Sequence, residues 1–147
     1  MQEHDDLRVR GLQQYVTAAA KQLGVTHKVT VSHQFPEQDE PGSHIEASVT
    51  PNGRQAELRV CSRFFSMTEE QRRRLIAHEL THVLLFGFSD CAETQIERAV
   101  VNHTKRQKSL DLLARAEERA VRKLEPLIAA QLPFMPDYTN FKFLRRR

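Results

Sequence analysis

The chain has 147 residues, 39% of them hydrophobic and 28% charged, with a net charge of +3 and only two cysteines, Cys61 and Cys91. That is enough for one domain with one real core. It argues against a disulfide-held scaffold, a disordered chain and a helical membrane protein, since no apolar run approaches about 20 residues. The N-terminal MQEHDDLRVRG lacks the apolar core of a signal peptide, so the expected compartment is the reducing cytoplasm, with both cysteines as free thiols.

From about Asp5 to Leu23, the residues Leu12, Tyr15, Ala19 and Leu23 recur at helical spacing, and Gly24 is placed to stop the helix. His27 to Phe35 is rich in β-branched residues, with Val29 and Val31 alternating, and reads as a strand. Pro36 to Ser43 carries acid, proline and glycine and reads as a loop. His44 to Thr50 and Gln55 to Cys61 both alternate around Pro51-Asn52-Gly53, which predicts a hairpin. Three successive strands predict a small, mostly antiparallel sheet, and Gln55–Cys61 is a candidate edge strand for holding an extended peptide.

A well-marked helix follows. Thr68 and Gln71 have the spacing of a capping box, and Glu69 and Glu70 suit the positive N-terminal end of the helix dipole. Leu75, Ile76, Leu80, Val83 and Leu84 supply an apolar face, and Gly87 is read as the helix end. Ala92 to about Gln131 contains no glycine and reads as one long helix or two abutting ones. A weak spot lies at Asn102-His103-Thr104 and a break is expected near Pro126. The proline-punctuated, aromatic tail from residue 132 to 147 is expected to pack back irregularly. From Arg98 onward there are 12 Lys/Arg against 5 Asp/Glu, so this part is +7 and the rest −4. Such a face can meet nucleic acid, an acidic partner or a membrane surface, but no nucleic-acid-binding motif accompanies it, and a solvated face is the simpler reading.

Within the capped helix lies His78-Glu79-Leu80-Thr81-His82. Two histidines four apart share one helix face, so their imidazoles can converge on one Zn2+ ion. The adjacent Glu79 can act as base on a water at the metal's open position, the H-E-x-x-H logic of zinc peptidases. Catalytic zinc needs a third protein ligand. The third-histidine variant is closed, because Phe88 and Leu85 stand where it needs His and Gly. Asp90, Glu93, Glu97 and His103 remain. If two helices fold antiparallel about a turn near Phe88 and Ser89, the level of Leu80 matches Glu97 and Arg98, which favours Glu97, with Glu93 next. No residue stands out as an oxyanion donor; His103, Arg98 and Tyr138 are the candidates.

The run CSRFFSMTEEQRRRLIAHELTHVLLFGF, followed by ETQIERAVV, resembles the compact glutamate-type zincin metallopeptidases carried in phage and prophage genomes. The resemblance spans about residues 55 to 102. It implies an α+β zincin-like domain over residues 1–147, with His78, His82 and Glu97 as zinc ligands and Glu79 as the base. It also implies a zinc endopeptidase acting on protein or peptide substrates. The competing expectation is a zincin-fold module that binds metal or a partner without turnover; the intact Glu79 argues against it, since a purely structural site has no use for a base.

Overall fold

The structure, a computed structural model, describes residues 2–34 and 47–138. It is α+β, with four helices and a three-stranded mixed sheet. In chain order the elements are α1 (Gln2–Gln22), β1 (Lys28–Gln34), β2 (Ala47–Asn52), β3 (Gln55–Cys61), α2 (Ser62–Ser66), α3 (Glu69–Ala99) and α4 (His103–Gln131). The expected loop at Pro36–Ser43, the start of the second strand at His44, and the tail beyond Tyr138 lie outside the described residues.

The sheet order is β1-β3-β2. β2 and β3 form the predicted hairpin around Gly53, whose φ of 59° is the left-handed conformation such a turn requires. β1, however, pairs with β3 in parallel, Val29 opposite Ala56 and Val31 opposite Leu58. The sheet is therefore half parallel rather than mostly antiparallel, and β3 is its central strand, not an edge. Strand alternation and turn residues report a strand's faces and its hairpin partner, but not which side of the hairpin a third strand joins.

The two outer strands differ in what they offer. On β1, Gln13 of α1 bonds both groups it can reach: its amide donates to the Val29 carbonyl (2.9 Å), and its carbonyl oxygen accepts the Val31 N–H (2.7 Å). A side chain thus occupies part of that edge, one way a sheet avoids adventitious pairing. β2 instead lies against α3. The core is continuous from Leu12, Val16 and Ala19 of α1 through Val31, Leu58 and Val60 of the sheet to Phe64, Ile76, Leu80 and Val83 of α2 and α3.

The largest departure from expectation is in α3. Its start is as read, with the Thr68–Gln71 capping box formed reciprocally, but it does not end at Gly87; it continues for 31 residues to Ala99. Gly87 has no positive φ and a methyl group added to it would touch nothing within 4 Å. It is an ordinary helical position, with a glycine's propensity cost of about 1 kcal/mol relative to alanine. The chain reverses at Val100–Asn102, where the Asn102 side chain accepts the Lys105 N–H (3.0 Å) to start α4, and Arg106 clamps the reversal by donating to the Val100 and Val101 carbonyls (2.9 and 3.2 Å). The weak spot read at Asn102-His103-Thr104 is thus the real reversal. Pro126 lies inside α4 without ending it. Residues 132–138 pack back irregularly, burying Leu132, Met135 and Tyr138. Tyr15 donates to the Pro133 carbonyl (2.7 Å), and Glu69 accepts the Met135 N–H (3.0 Å).

Candidate metal centre

His78 and His82 sit one turn apart on the face of α3 that meets α4, and their Nε2 atoms approach to 3.3 Å. Glu118 of α4 completes a group of three: its carboxylate oxygens lie 3.7 Å from His78 Nε2 and 3.4 Å from His82 Nε2. Tetrahedral coordination with bonds of about 2.0–2.2 Å has ligand–ligand edges of about 3.3–3.6 Å. The His78–His82 separation falls in that range and the two Glu118 contacts, each made by a different carboxylate oxygen, lie close to it, so the His78–His82–Glu118 group could hold a metal ion. The donor chemistry agrees, two imidazoles and one carboxylate being a set that borderline divalent metals accept.

The far side of each imidazole is also occupied. His78 Nδ1 meets Glu125 Oε2 at 3.3 Å, and His82 Nδ1 meets Glu117 Oε1 at 2.8 Å. A carboxylate on Nδ1 holds the proton there, which fixes the ring orientation and leaves the Nε2 lone pair facing the partner histidine and Glu118. Glu117 is itself held by the buried Ser89, whose hydroxyl donates to Oε2 (2.6 Å), and Glu125 by Arg74 (2.7 Å). One helix therefore supplies the imidazoles and the other supplies the third member of the group, Glu118, and both supports.

Glu118 remains a carboxylate. Burial alone would raise its pKa, but a hydrogen bond from Arg122 (2.8 Å) and the neighbouring His78 and His82 outweigh that and hold it below the usual range. Glu79 behaves in the opposite way. It is 8% exposed, and its burial pushes it up from 4.5 to about 7; the charge of Glu118 adds to the rise, while His82 and a hydrogen bond from the Val49 N–H of β2 oppose it. Glu79 and His82 line a common open cleft of about 310 Å³, walled by Val49 and Pro51 of β2 and by Phe86, Ser89, Asp90, Glu93 and Glu117.

The structure thus brings together His78, His82 and Glu79, but not Glu97. Because α3 does not turn at Gly87, Glu97 lies on the same helix as the histidines, about 22 Å along the axis from His82, and is exposed. Glu93 and Asp90 border the cleft without joining the ligand group, and His103 and Arg98 lie at the far α3–α4 reversal. Tyr138 is buried against Phe65 and Arg72, outside the cleft lining. The residues missed in the sequence are Glu117, Glu118 and Glu125. Their one signal is that they make up three of only five acids in the otherwise basic stretch after Arg98. No family model, curated protein or solved structure matches this chain, so the candidate centre stands on its own geometry.

Proposed function

We propose that this protein is a zinc-dependent metallopeptidase, with His78, His82 and Glu118 as the metal ligands and Glu79 as the general base. The observation that carries the reading is the position of Glu79: a buried carboxylate, with a pKa near 7, next to the ligand group and sharing with His82 the wall of one cleft. A structural metal site does not need such a group, and general bases work best with a pKa near the working pH. The His2Glu set with one position left open is that of hydrolytic zinc sites.

Zinc in this set would supply Lewis acidity, easing deprotonation of water and polarising a scissile carbonyl. The remaining work falls to the chain. Glu79 takes the proton of the attacking water on its carboxylate and passes it to the leaving amine. The Val49 N–H keeps that carboxylate at the cleft wall. Glu117 and Glu125 hold the imidazoles in register, so that both Nε2 lone pairs stay on the same point. An extended peptide would add to β2, the outer strand bordering the cleft, rather than to the central β3. Pro51 has no N–H to offer, so β2 presents carbonyl acceptors there.

The test is Glu79→Gln. The variant is expected to bind one zinc per chain while hydrolysis of a peptide library falls by about 10²–10⁴-fold. Full activity in the variant, or no hydrolysis by the zinc-loaded parent, removes the assignment.

A further inference from the structure

The cleft beside Glu79 has a chemical bias that the ligand group does not require. Because α3 runs straight through Gly87, the face that carries His78 and His82 continues as Phe86, Asp90 and Glu93, at helical spacing along one side of the cleft. Opposite stand Val49 and Pro51 of β2. The inner walls are thus apolar at Val49, Pro51 and Phe86, while Asp90 and Glu93 are exposed carboxylates of the same lining. Among the described residues the lining contains no lysine or arginine. Among the described residues neither Asp90 nor Glu93 takes part in an ion pair, whereas Glu117 is committed to His82 and Ser89.

We infer that this cleft selects substrates presenting a lysine or arginine side chain next to the cleaved bond, the aliphatic stem lying between Phe86 and the Val49–Pro51 wall and the charged head reaching Asp90 and Glu93. The inference rests on the peptidase reading for the word "cleaved" but not for the binding preference. Lys and Arg are the side chains with an apolar stem and a charged end that can use both halves of such a cleft. A glutamate in the same place would meet two like charges. Because the carboxylates are exposed, the attraction is that of charges in or near water, and a preference of about tenfold over a neutral side chain of similar length is the expected scale.

The experiment uses fluorescein-labelled seven-residue alanine–serine peptides with Lys, Arg, Gln or Glu at the centre. They are titrated against the full-length, zinc-loaded Glu79→Gln variant, which does not consume them. The Lys and Arg peptides are expected to bind about tenfold more tightly than the Gln peptide, with the Glu peptide weakest. Adding Asp90→Asn and Glu93→Gln together is expected to reduce the Lys/Gln ratio to about twofold or less, while Glu97→Gln, farther along α3 and outside the lining, keeps it. High salt should reduce the ratio in the parent background. Equal affinities for the four peptides, or a preference that survives the double substitution, overturns the inference. Cleavage is read separately with the unsubstituted protein: a Lys/Arg preference in binding without any hydrolysis overturns the peptidase reading and leaves the cleft preference standing.

Discussion

Burying Glu79 has a consequence for the metal-free protein that can be measured without any substrate. In the unfolded chain its carboxyl titrates near the ordinary 4.5; in the folded protein, burial among apolar groups pushes it up to about 7. Between those values the native state binds more protons than the unfolded state, so the contribution of this group to stability falls as pH rises. It is fully present below about pH 4.5 and lost above about pH 7. Each pH unit of displacement corresponds to about 1.4 kcal/mol, so the carboxylate costs the metal-free fold about 3 kcal/mol at pH 8 and under about 1 kcal/mol at pH 5. Glu79→Gln keeps the shape and an acceptor for the Val49 N–H but carries no charge. The variant is therefore expected to be about 3 kcal/mol more stable than the parent at pH 8, with the gap closing towards pH 5. Urea unfolding in the presence of a chelator, followed at several pH values, gives the difference directly. Saturating zinc should shrink the gap, because a divalent cation beside the carboxylate favours its ionised form. A gap that is absent, or independent of pH, would refute the claim that burial of a charge is what sets Glu79 apart.

Four further substitutions separate the competing placements of the site. Glu118→Gln is expected to weaken zinc binding by about 100-fold or more, since it alters a proposed ligand rather than an outer partner, for which losses of about 10–100-fold are usual. Glu97→Ala should leave affinity within about twofold; competition with a chromophoric chelator measures both, and a large loss with Glu97→Ala alone would restore the turn at Gly87. Glu117→Gln should cost about tenfold in zinc affinity, because it leaves His82 Nδ1 with a weaker acceptor; unchanged affinity would make Glu117 a bystander. Gly87→Ala should stabilise the protein by about 0.5–1 kcal/mol, raising Tm by about 1–4 °C in a thermal melt, because Gly87 is an interior helical position with open space where the methyl would go. Destabilisation would mean that Gly87 holds a turn.

The parts of this molecule legible in the sequence are those encoded over short distances. The capping box at Thr68 and Gln71, the Pro51-Asn52-Gly53 hairpin and the β3 boundaries all depend on residues a few positions apart, and the structure has each of them. The candidate third ligand depends instead on where two long helices reverse. Two glycine-like stop signals competed for that role: Gly87, and the polar run at Asn102. Gly87 fails because a helix-ending glycine acts through a left-handed backbone, and the chain on both sides of Gly87 can stay helical for only about 1 kcal/mol. Asn102 wins because its side chain caps α4 and Arg106 ties up the carbonyls left open at the end of α3. The rule that equidistant positions of an antiparallel helix pair lie at one level was sound. Centred on Phe88 and Ser89 it pairs Leu80 with Glu97; centred on Val101 it pairs Leu80 with Arg122. Glu118 and Glu125, one turn to either side of Arg122, meet the histidines, as does Glu117 beside Glu118. Moving the reversal by about thirteen residues moves the matching level by about twenty-five, from Glu97 to Arg122, because every residue added to one helix is matched on the other, and the candidate third ligand stands one turn short of that level at Glu118. The same shift left Asp90 and Glu93 on the histidine face of α3, where they border the cleft as carboxylates without a cation partner among the described residues. A misread helix end thus changes not only which glutamate could bind metal but also which glutamates remain for a substrate.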